Sequence, residues 1–456
     1  MTATNTYTVN PAWTVEPGYE PVRDAFVKGM GSFGYGGGAY CAYVNGRPVV
    51  DLWGGNARKG EPWQAETATV LMSATKGFGS MCMQLLEDRG LIDVDEKVAT
   101  YWPEYAQNGK GSTTVRELLL HTGGVVGFDK MDEVLRYDGT GWGDLDVIAA
   151  RLAESTPSFP PGTKHTYHAL TIGWLVSEII RRVDGRSLGR FFADEIAGPL
   201  HIDAWIGLPE AERPRVAYVY DIRLDHLLKP LRTAQESMLA AARDPHKLIG
   251  RAFVGNGSAS PLDHVEEVFN NPEFLAGEVP AGNGIATARA MARCWAMMAN
   301  GGELEGTRVL SAAVVDEWSS VISSRPDVAI EQISTNWVLA KLGKAPVPRT
   351  LGYLGNGAIP GLGHRFGPNP DAFGAEGLGG QYGFCDRDAN IAVGYVRSEL
   401  AAFDILQANL TRELYRCAAA QGLAVTPVKS RPWNRALNAA VGAFARRKIA
   451  VPTTPT

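Results

Sequence analysis

Val70-Leu-Met-Ser73-Ala-Thr-Lys76-Gly-Phe78-Gly-Ser-Met81-Cys82-Met-Gln-Leu85-Leu86-Glu-Asp-Arg-Gly90 is the stretch around which the chain is organised. An extended apolar run turns at Ser73 into a helical pattern. Phe78, Met81, Cys82, Leu85 and Leu86 recur there at three- and four-residue spacing, and Gly90 offers a left-handed stop. Positions three apart share a helix face, so the spacing sets the Ser73 hydroxyl beside the Lys76 amine at a helix start. Unpaired backbone amides at such a start can stabilise a developing negative charge. A serine hydroxyl is a poor nucleophile until a base takes its proton, and a partly desolvated lysine can be that base. The plain alternative for S-x-x-K is a capping serine followed by a solvated lysine. Partners elsewhere in the chain decide between the two.

At 456 residues the chain exceeds the usual single-core limit, which predicts two intimately joined subdomains or a large α/β enzyme. Hydrophobic content of 45% and charged content of 20% are those of an ordinary globular protein. A net charge of −5 gives no electrostatic case for a nucleic-acid partner. Five scattered cysteines (Cys41, Cys82, Cys294, Cys385, Cys417) include no C-x-x-C pair, which argues for a reducing compartment and against a disulfide framework or a zinc site. No run approaches the 20 or so apolar residues of a membrane span. The first residues carry neither a basic nor an apolar export region. The expected location is cytoplasmic, with no cofactor and no metal. Nothing in the sequence speaks to oligomeric state.

Residues 17–30 read as an amphipathic helix with Val22, Phe26 and Val27 on one face. Gly29-Met-Gly31-Ser-Phe-Gly34 matches G-x-G-x-x-G by letter, but a helix precedes it and a strand follows, so it reads as a turn rather than a dinucleotide site. Strand-like runs at 39–44 and 47–53 flank Asn45-Gly46, a type I′ hairpin signal. From about 92 to 300 the texture is helical and loop-rich. Helices are expected at Val115–Leu120, Leu170–Val183 and 287–299, and 205–275 is expected as a surface excursion or lid. Strand patterns return after 305, with a glycine-rich run at 373–384 and a strand at Ile391–Val396, before a helix from Leu400 to Gln421. Residues 426–456 hold six basic and no acidic residues around a short apolar face of Leu437, Val441 and Phe444. They are read as docking on the chain's own domain, with a membrane-surface helix as the alternative. The division is therefore 1–95 plus 300–425 as a sheet domain, 96–299 as a helical subdomain, and 426–456 as a basic tail.

Lys76 needs a second group to help move protons, and Tyr167 is the candidate. It lies in Pro160-Pro-Gly-Thr-Lys-His165-Thr-Tyr167-His168-Ala169, a turn-rich run just before the 170–183 helix, where a phenol can face a cleft. Ser73-Ala-Thr-Lys76 after an apolar run, Pro161-Gly162-Thr…Tyr167 before a helix, and a late glycine-rich strand recur in this order in one superfamily. With Leu118-Leu-Leu-His121-Thr-Gly-Gly and Pro280-Ala-Gly-Asn-Gly as further landmarks, the chain resembles the serine β-lactamase and penicillin-binding-protein superfamily over about residues 15 to 420. Its nearest likeness is the class C-like esterase branch, the family VIII carboxylesterases. The resemblance implies an α/β (α+β) fold, an antiparallel sheet flanked by helices and built from both chain ends, with a mainly helical subdomain inserted. It also implies Ser73 as the acylated nucleophile, Lys76 and Tyr167 as the base pair, and the backbone amides of Ser73 and Leu378 as an oxyanion hole.

Two departures bear on substrate. The Y-x-N triplet of β-lactamases reads Tyr167-His168-Ala169, and K-T-G reads Ala375-Glu376-Gly377, so an amide and a cation are missing. With His168, Glu376 and Gly377 as substrate-contact positions, anionic substrates are disfavoured and esters lacking a carboxylate near the scissile bond are expected. No G-x-S-x-G elbow and no H-E-x-x-H is present, and His165 and His168 lack an obvious third metal ligand. The leading expectation is a serine carboxylesterase acting on short neutral acyl groups of a small-molecule ester. Acyl transfer or amide hydrolysis on the same site follows, then β-lactamase or D,D-peptidase, then a non-catalytic binding module.

Overall fold

The computed structural model describes residues 10–223, 229–255, 261–331, 345–359, 363–401 and 404–427. The expected basic tail lies almost entirely outside them. Ten strands form the main sheet: β1 (Thr14–Val15), β2 (Gly37–Val44), β3 (Arg47–Arg58), β4 (Glu61–Pro62), β5 (Ser323–Arg325), β6 (Val347–Arg349), β7 (Leu354–Gly355), β8 (Phe373–Glu376), β9 (Tyr382–Asp386) and β10 (Ile391–Arg397). Their order is β1-β3-β2-β10-β9-β8-β7-β6-β5, with β4 paired to β3. All these pairs are antiparallel. The two chain ends therefore meet in mid-sheet, with Val44 opposite Ile391 and Gly38 opposite Arg397. The β2–β3 hairpin turns on Asn45 and Gly46 at φ 51° and 72°, the pair of left-handed residues a type I′ turn requires.

One face of the sheet is covered by α1 (Glu20–Gly29) and α7 (Ile405–Ala420). Val22 and Phe26 of α1 and Leu406, Leu410 and Leu414 of α7 pack with Tyr40, Leu52, Tyr382 and Phe384. Each such apolar side chain contributes roughly 1.5–3 kcal/mol by leaving water. The other face carries α2 (Lys76–Asp88) and α6 (Ala288–Ala299), whose Met81, Leu85, Met291 and Trp295 share a core with Cys41, Trp53, Phe373 and Cys385. The sequence reading assigns 287–299 to the helical middle of the chain, whereas α6 lies across the sheet. All five cysteines are buried and free.

Between the two sheet-forming segments the chain is mainly helical. α3 (Thr171–Asp184) packs on α2 and ends at Gly185 with φ 89°. The 205–275 excursion holds more regular structure than its composition suggests. Ala241 and Ala242 of α4 (Lys229–Ala242) and Ile249 of α5 (Leu248–Val254) form a small apolar cluster with Leu262, joined by Ala329 and edged by Leu378. The closing helix starts at Ile405 rather than Leu400. Residues 400–401 are spent on backbone bonds to Tyr220 and Gly379, and the Asp404 side chain caps the helix by accepting from the Gln407 amide.

Candidate active site

The approach to Ser73 is pinned from two sides. Thr69 and Val70 pair with Ala286 and Ile285, and the Leu71 amide donates to the Gly284 carbonyl at 2.7 Å. Met72 then takes a left-handed conformation, φ 50°, rare for a side chain of its size and costing on the order of 1–3 kcal/mol. The surroundings hold it there. The Thr75 hydroxyl donates to the Met72 carbonyl at 2.6 Å and accepts from the Gly284 amide at 2.9 Å. Ser73 thus projects from a short 3₁₀ turn, Met72–Thr75, that runs directly into α2.

Around the Ser73 oxygen the structure brings together both predicted partners. Lys76 Nζ lies 3.0 Å from Ser73 Oγ, and the Tyr167 hydroxyl lies 2.6 Å from it. Two backbone carbonyls that no side-chain pattern could reveal complete the lysine's surroundings, Ala169 at 2.7 Å and Ala281 at 2.9 Å. A neutral amine has two N–H groups and one lone pair. The two carbonyls take the N–H groups, which leaves the lone pair directed at Ser73. Burial of the amine, with the buried Arg349 guanidinium adding its repulsion, pushes Lys76 well below the usual lysine range. Burial pushes the Tyr167 phenol up to about 12, against the lowering effects of its bond to Ser73 and of Arg349. The lysine is therefore primed to be neutral and the tyrosine to keep its proton.

Tyr167 reaches the serine because its loop is fastened along its length. The Thr166 amide donates to the His121 carbonyl at 3.1 Å, the His168 amide donates to His121 Nδ1 at 3.0 Å, and the Ala169 carbonyl is held by Lys76. His121, itself left-handed at φ 60°, tilts against the Tyr167 ring at 5.3 Å, and Lys76 Nζ sits 4.9 Å from the centre of that ring. This gives the Leu118…His121-Thr-Gly-Gly landmark a structural task, and the Pro280 landmark supplies the Ala281 carbonyl and the Gly284 contacts.

The substrate-contact positions separate. Gly377 abuts the serine turn: a Cβ there would collide with the Leu71 carbonyl oxygen and stand 3.0 Å from Met72 Cβ. The end of β8 therefore needs glycine to pass this close to the turn that carries Ser73. Ala375, one residue before Glu376, faces α2 at Gly77. Glu376 forms an ion pair with Arg365, so its carboxylate is not an unopposed anion at the cleft. His168 is not at the cleft. It is buried, with Nδ1 2.7 Å from the Thr166 carbonyl, because the loop that presents Tyr167 outward turns the next side chain inward. Behind Lys76 a small cavity is lined in part by Ser80, Leu119, His121, Ile172 and Gly352. Among the described residues no group of three or more His, Cys, Asp or Glu could hold a metal, and no helix is long and apolar enough to cross a membrane.

An antiparallel sheet shared by both chain ends, a helical middle, and a serine bonded to a lysine three residues on and to a distant tyrosine define a serine hydrolase of β-lactamase-like fold. Residues 22–410 match the family model described as Beta-lactamase, and the chain belongs to that family. It is 34% identical over 397 residues to the esterase/beta-lactamase LipL of Mycobacterium tuberculosis (strain ATCC 25618 / H37Rv), covering 84% of this chain and 82% of that protein. The crystal structure of a family VIII carboxylesterase superposes with a TM-score of 0.73 at 31% identity, covering 89% of this chain and 98% of that one. EstA from Arthrobacter nitroguajacolicus Rue61a superposes with a TM-score of 0.72 at 25% identity, covering 90% and 99%.

Proposed function

We propose that the chain is a carboxylesterase that cleaves short, neutral esters through an acyl-enzyme on Ser73. The observation that carries this reading is the Ser73 oxygen held between Lys76 Nζ at 3.0 Å and the Tyr167 hydroxyl at 2.6 Å. Lys76, depressed toward its neutral form, takes the Ser73 proton as Oγ bonds to the ester carbonyl carbon. The amides of Ser73 and Leu378 stabilise the oxyanion of the tetrahedral intermediate. As the C–O bond to the alcohol breaks, Tyr167 gives the leaving oxygen its proton and is reprotonated at the expense of Lys76. Water then adds to the acyl-enzyme, gives up one proton to the same pair, and releases the carboxylic acid and free Ser73. The names of the relatives, an esterase/beta-lactamase and a carboxylesterase, support ester cleavage. The absence of a lysine at Ala375 and the pairing of Arg365 with Glu376 support neutral substrates. The five free cysteines support a reducing, cytoplasmic setting.

The test is a pre-steady-state burst of p-nitrophenol from p-nitrophenyl butyrate, with fluorophosphonate labelling read by intact mass. Ser73→Ala is expected to abolish turnover and labelling while leaving the circular dichroism spectrum unchanged. Labelling that persists in the alanine variant places the nucleophile elsewhere.

A further inference from the structure

Arg349 ends β6 in the interior, 5% exposed, where a guanidinium must be paired and hydrogen-bonded to be tolerated. Two groups meet it. Its outer nitrogen lies 3.9 Å from the Asp327 carboxylate, and its Nε donates to His165 Nε2. Because Nε2 is thereby an acceptor, the His165 proton is on Nδ1, which faces the Arg325 carbonyl at 3.4 Å. The His165 carbonyl in turn accepts from the Val328 amide at 3.0 Å. One imidazole is thus fixed on both ring nitrogens and at its own backbone by the segment 325–328 and by Arg349. Two residues further on is Tyr167.

We infer that Arg349, seated between Asp327 and His165, is the positioning residue for Tyr167, anchoring the start of its loop and supplying the positive charge behind the Tyr167–Lys76 pair. The inference rests on the proposed roles of those two residues. His121 and Lys76 fasten the far half of the loop, at Thr166, His168 and Ala169. Without Arg349 the near half has lost one end of the imidazole bridge. The charge matters as well as the contact. A buried cation repels an ammonium and attracts a phenolate, and it acts in both directions here, lowering Lys76 and restraining the rise at Tyr167. His121 comes from the turn after residue 119, His165 and His168 from the loop of Tyr167 itself, Arg325 from the end of β5, Asp327 from the segment after it, and Arg365, ion-paired with Glu376, from the run before β8. The three histidines are held neutral by burial, with His165 at about 3 and His168 at about 4, and His121 well below its usual value. With the histidines neutral, the fixed charges are Arg349, Asp327, Arg325 and the Arg365–Glu376 pair, and Arg349 is the cation that lowers Lys76.

The experiment uses the full chain, p-nitrophenyl butyrate, and kcat/KM measured across pH for Arg349→Met, Arg349→Lys and the double variant Arg349→Met with Asp327→Asn, each checked by circular dichroism and thermal unfolding. In Arg349→Met the acid limb of the profile is expected to move up by about one pH unit, since Lys76 is no longer repelled. kcat is expected to fall about 10²-fold with little change in KM, the effect of a displaced catalytic group. Arg349→Lys keeps a cation without the fork that grips His165, so it is expected to keep the wild-type limb and still lose kcat. The double variant removes both charges together, and so answers the question if the single neutral variant does not fold. Its limb is expected above that of the wild type. A folded neutral variant with the wild-type limb, or an Arg349→Lys variant with undiminished kcat, overturns the inference. A loss of kcat/KM equal at every pH, with KM rising in step, also overturns it, since that is what a purely structural role predicts.

Discussion

Replacing Tyr167 with phenylalanine removes one oxygen and leaves the ring where it is, tilted against His121 at 5.3 Å and 4.9 Å from Lys76 Nζ. The lost contact is the 2.6 Å bond to Ser73 Oγ, and Ser73 keeps its contact with Lys76 at 3.0 Å. Stability should therefore change by only about 1 kcal/mol, the net value of one hydrogen bond. Catalysis should change more, and unevenly. A phenol at about 12 is an acid, not a base, near neutral pH, so its task is to protonate the departing alkoxide. An ethyl ester needs that proton, and kcat/KM for ethyl butyrate is expected to fall about 10³-fold, or about 4 kcal/mol of transition-state stabilisation. p-Nitrophenolate leaves without a proton, so for p-nitrophenyl butyrate a fall of only about tenfold is expected. Both esters present the same acyl group and form the same acyl-enzyme, which makes the ratio of the two losses the informative quantity. The assay is a pH-stat titration of ethyl butyrate beside the absorbance assay for the aryl ester, on wild type and variant. Equal losses on the two esters refute leaving-group protonation by Tyr167, and no loss on either removes it from the chemistry.

Below its depressed pKa Lys76 is an ammonium with no lone pair, so activity should be lost as pH falls through that value and be full above it. A kcat/KM profile whose only limb rises near the usual lysine range contradicts the base assignment. Gly377→Ala is expected to push the end of β8 away from the Leu71 carbonyl and cut kcat about 10²-fold with KM little changed, as the loss of one oxyanion donor does. An active variant with wild-type kcat means that Leu378 does not donate. For nitrocefin, kcat/KM is expected to lie about ten- to a hundredfold below that for p-nitrophenyl butyrate, because Arg365 is engaged by Glu376 rather than free to meet the carboxylate. Glu376→Gln should narrow that gap, and comparable values in the wild type defeat the charge argument.

What could be read from the sequence follows the range of the interactions. Ser73 and Lys76 are three residues apart, and the Asn45-Gly46 turn is written in two letters, so local rules reach both. The helix faces of Phe26 and Leu85 follow from periodicity in the same way. Tyr167 lies 94 residues from Ser73 and was approached through the turn and helix around it and through a family likeness. The carbonyls of Ala169 and Ala281 carry no side-chain signal, since every residue has such a group. His168 reads as a cleft residue from its letters, whereas the loop buries it against His121. α4 is hidden in the sequence because Lys229, Arg232, Glu236 and the nearby prolines blur its period. Arg349 had no motif around it, and its meaning appears only when β6 is set against the loop of Tyr167.

The pairing of β2 with β10 also bears on how the chain is made. Val44 waits for Ile391, roughly 350 residues later. At about 5–20 residues per second a ribosome takes on the order of 20–70 s to supply that partner. Throughout this interval the edge of β2 that β10 will cover lacks its partner strand, and it carries Tyr40, Cys41, Ala42 and Tyr43 in a run that ends up wholly buried. An exposed apolar edge recruits other strands, including those of sister chains on the same message. The nascent protein is therefore most vulnerable to association before its last sheet strands emerge. Chains stopped anywhere between the hairpin and residue 397 should accumulate as aggregates rather than as soluble fragments, and slower translation should lengthen the exposure rather than relieve it.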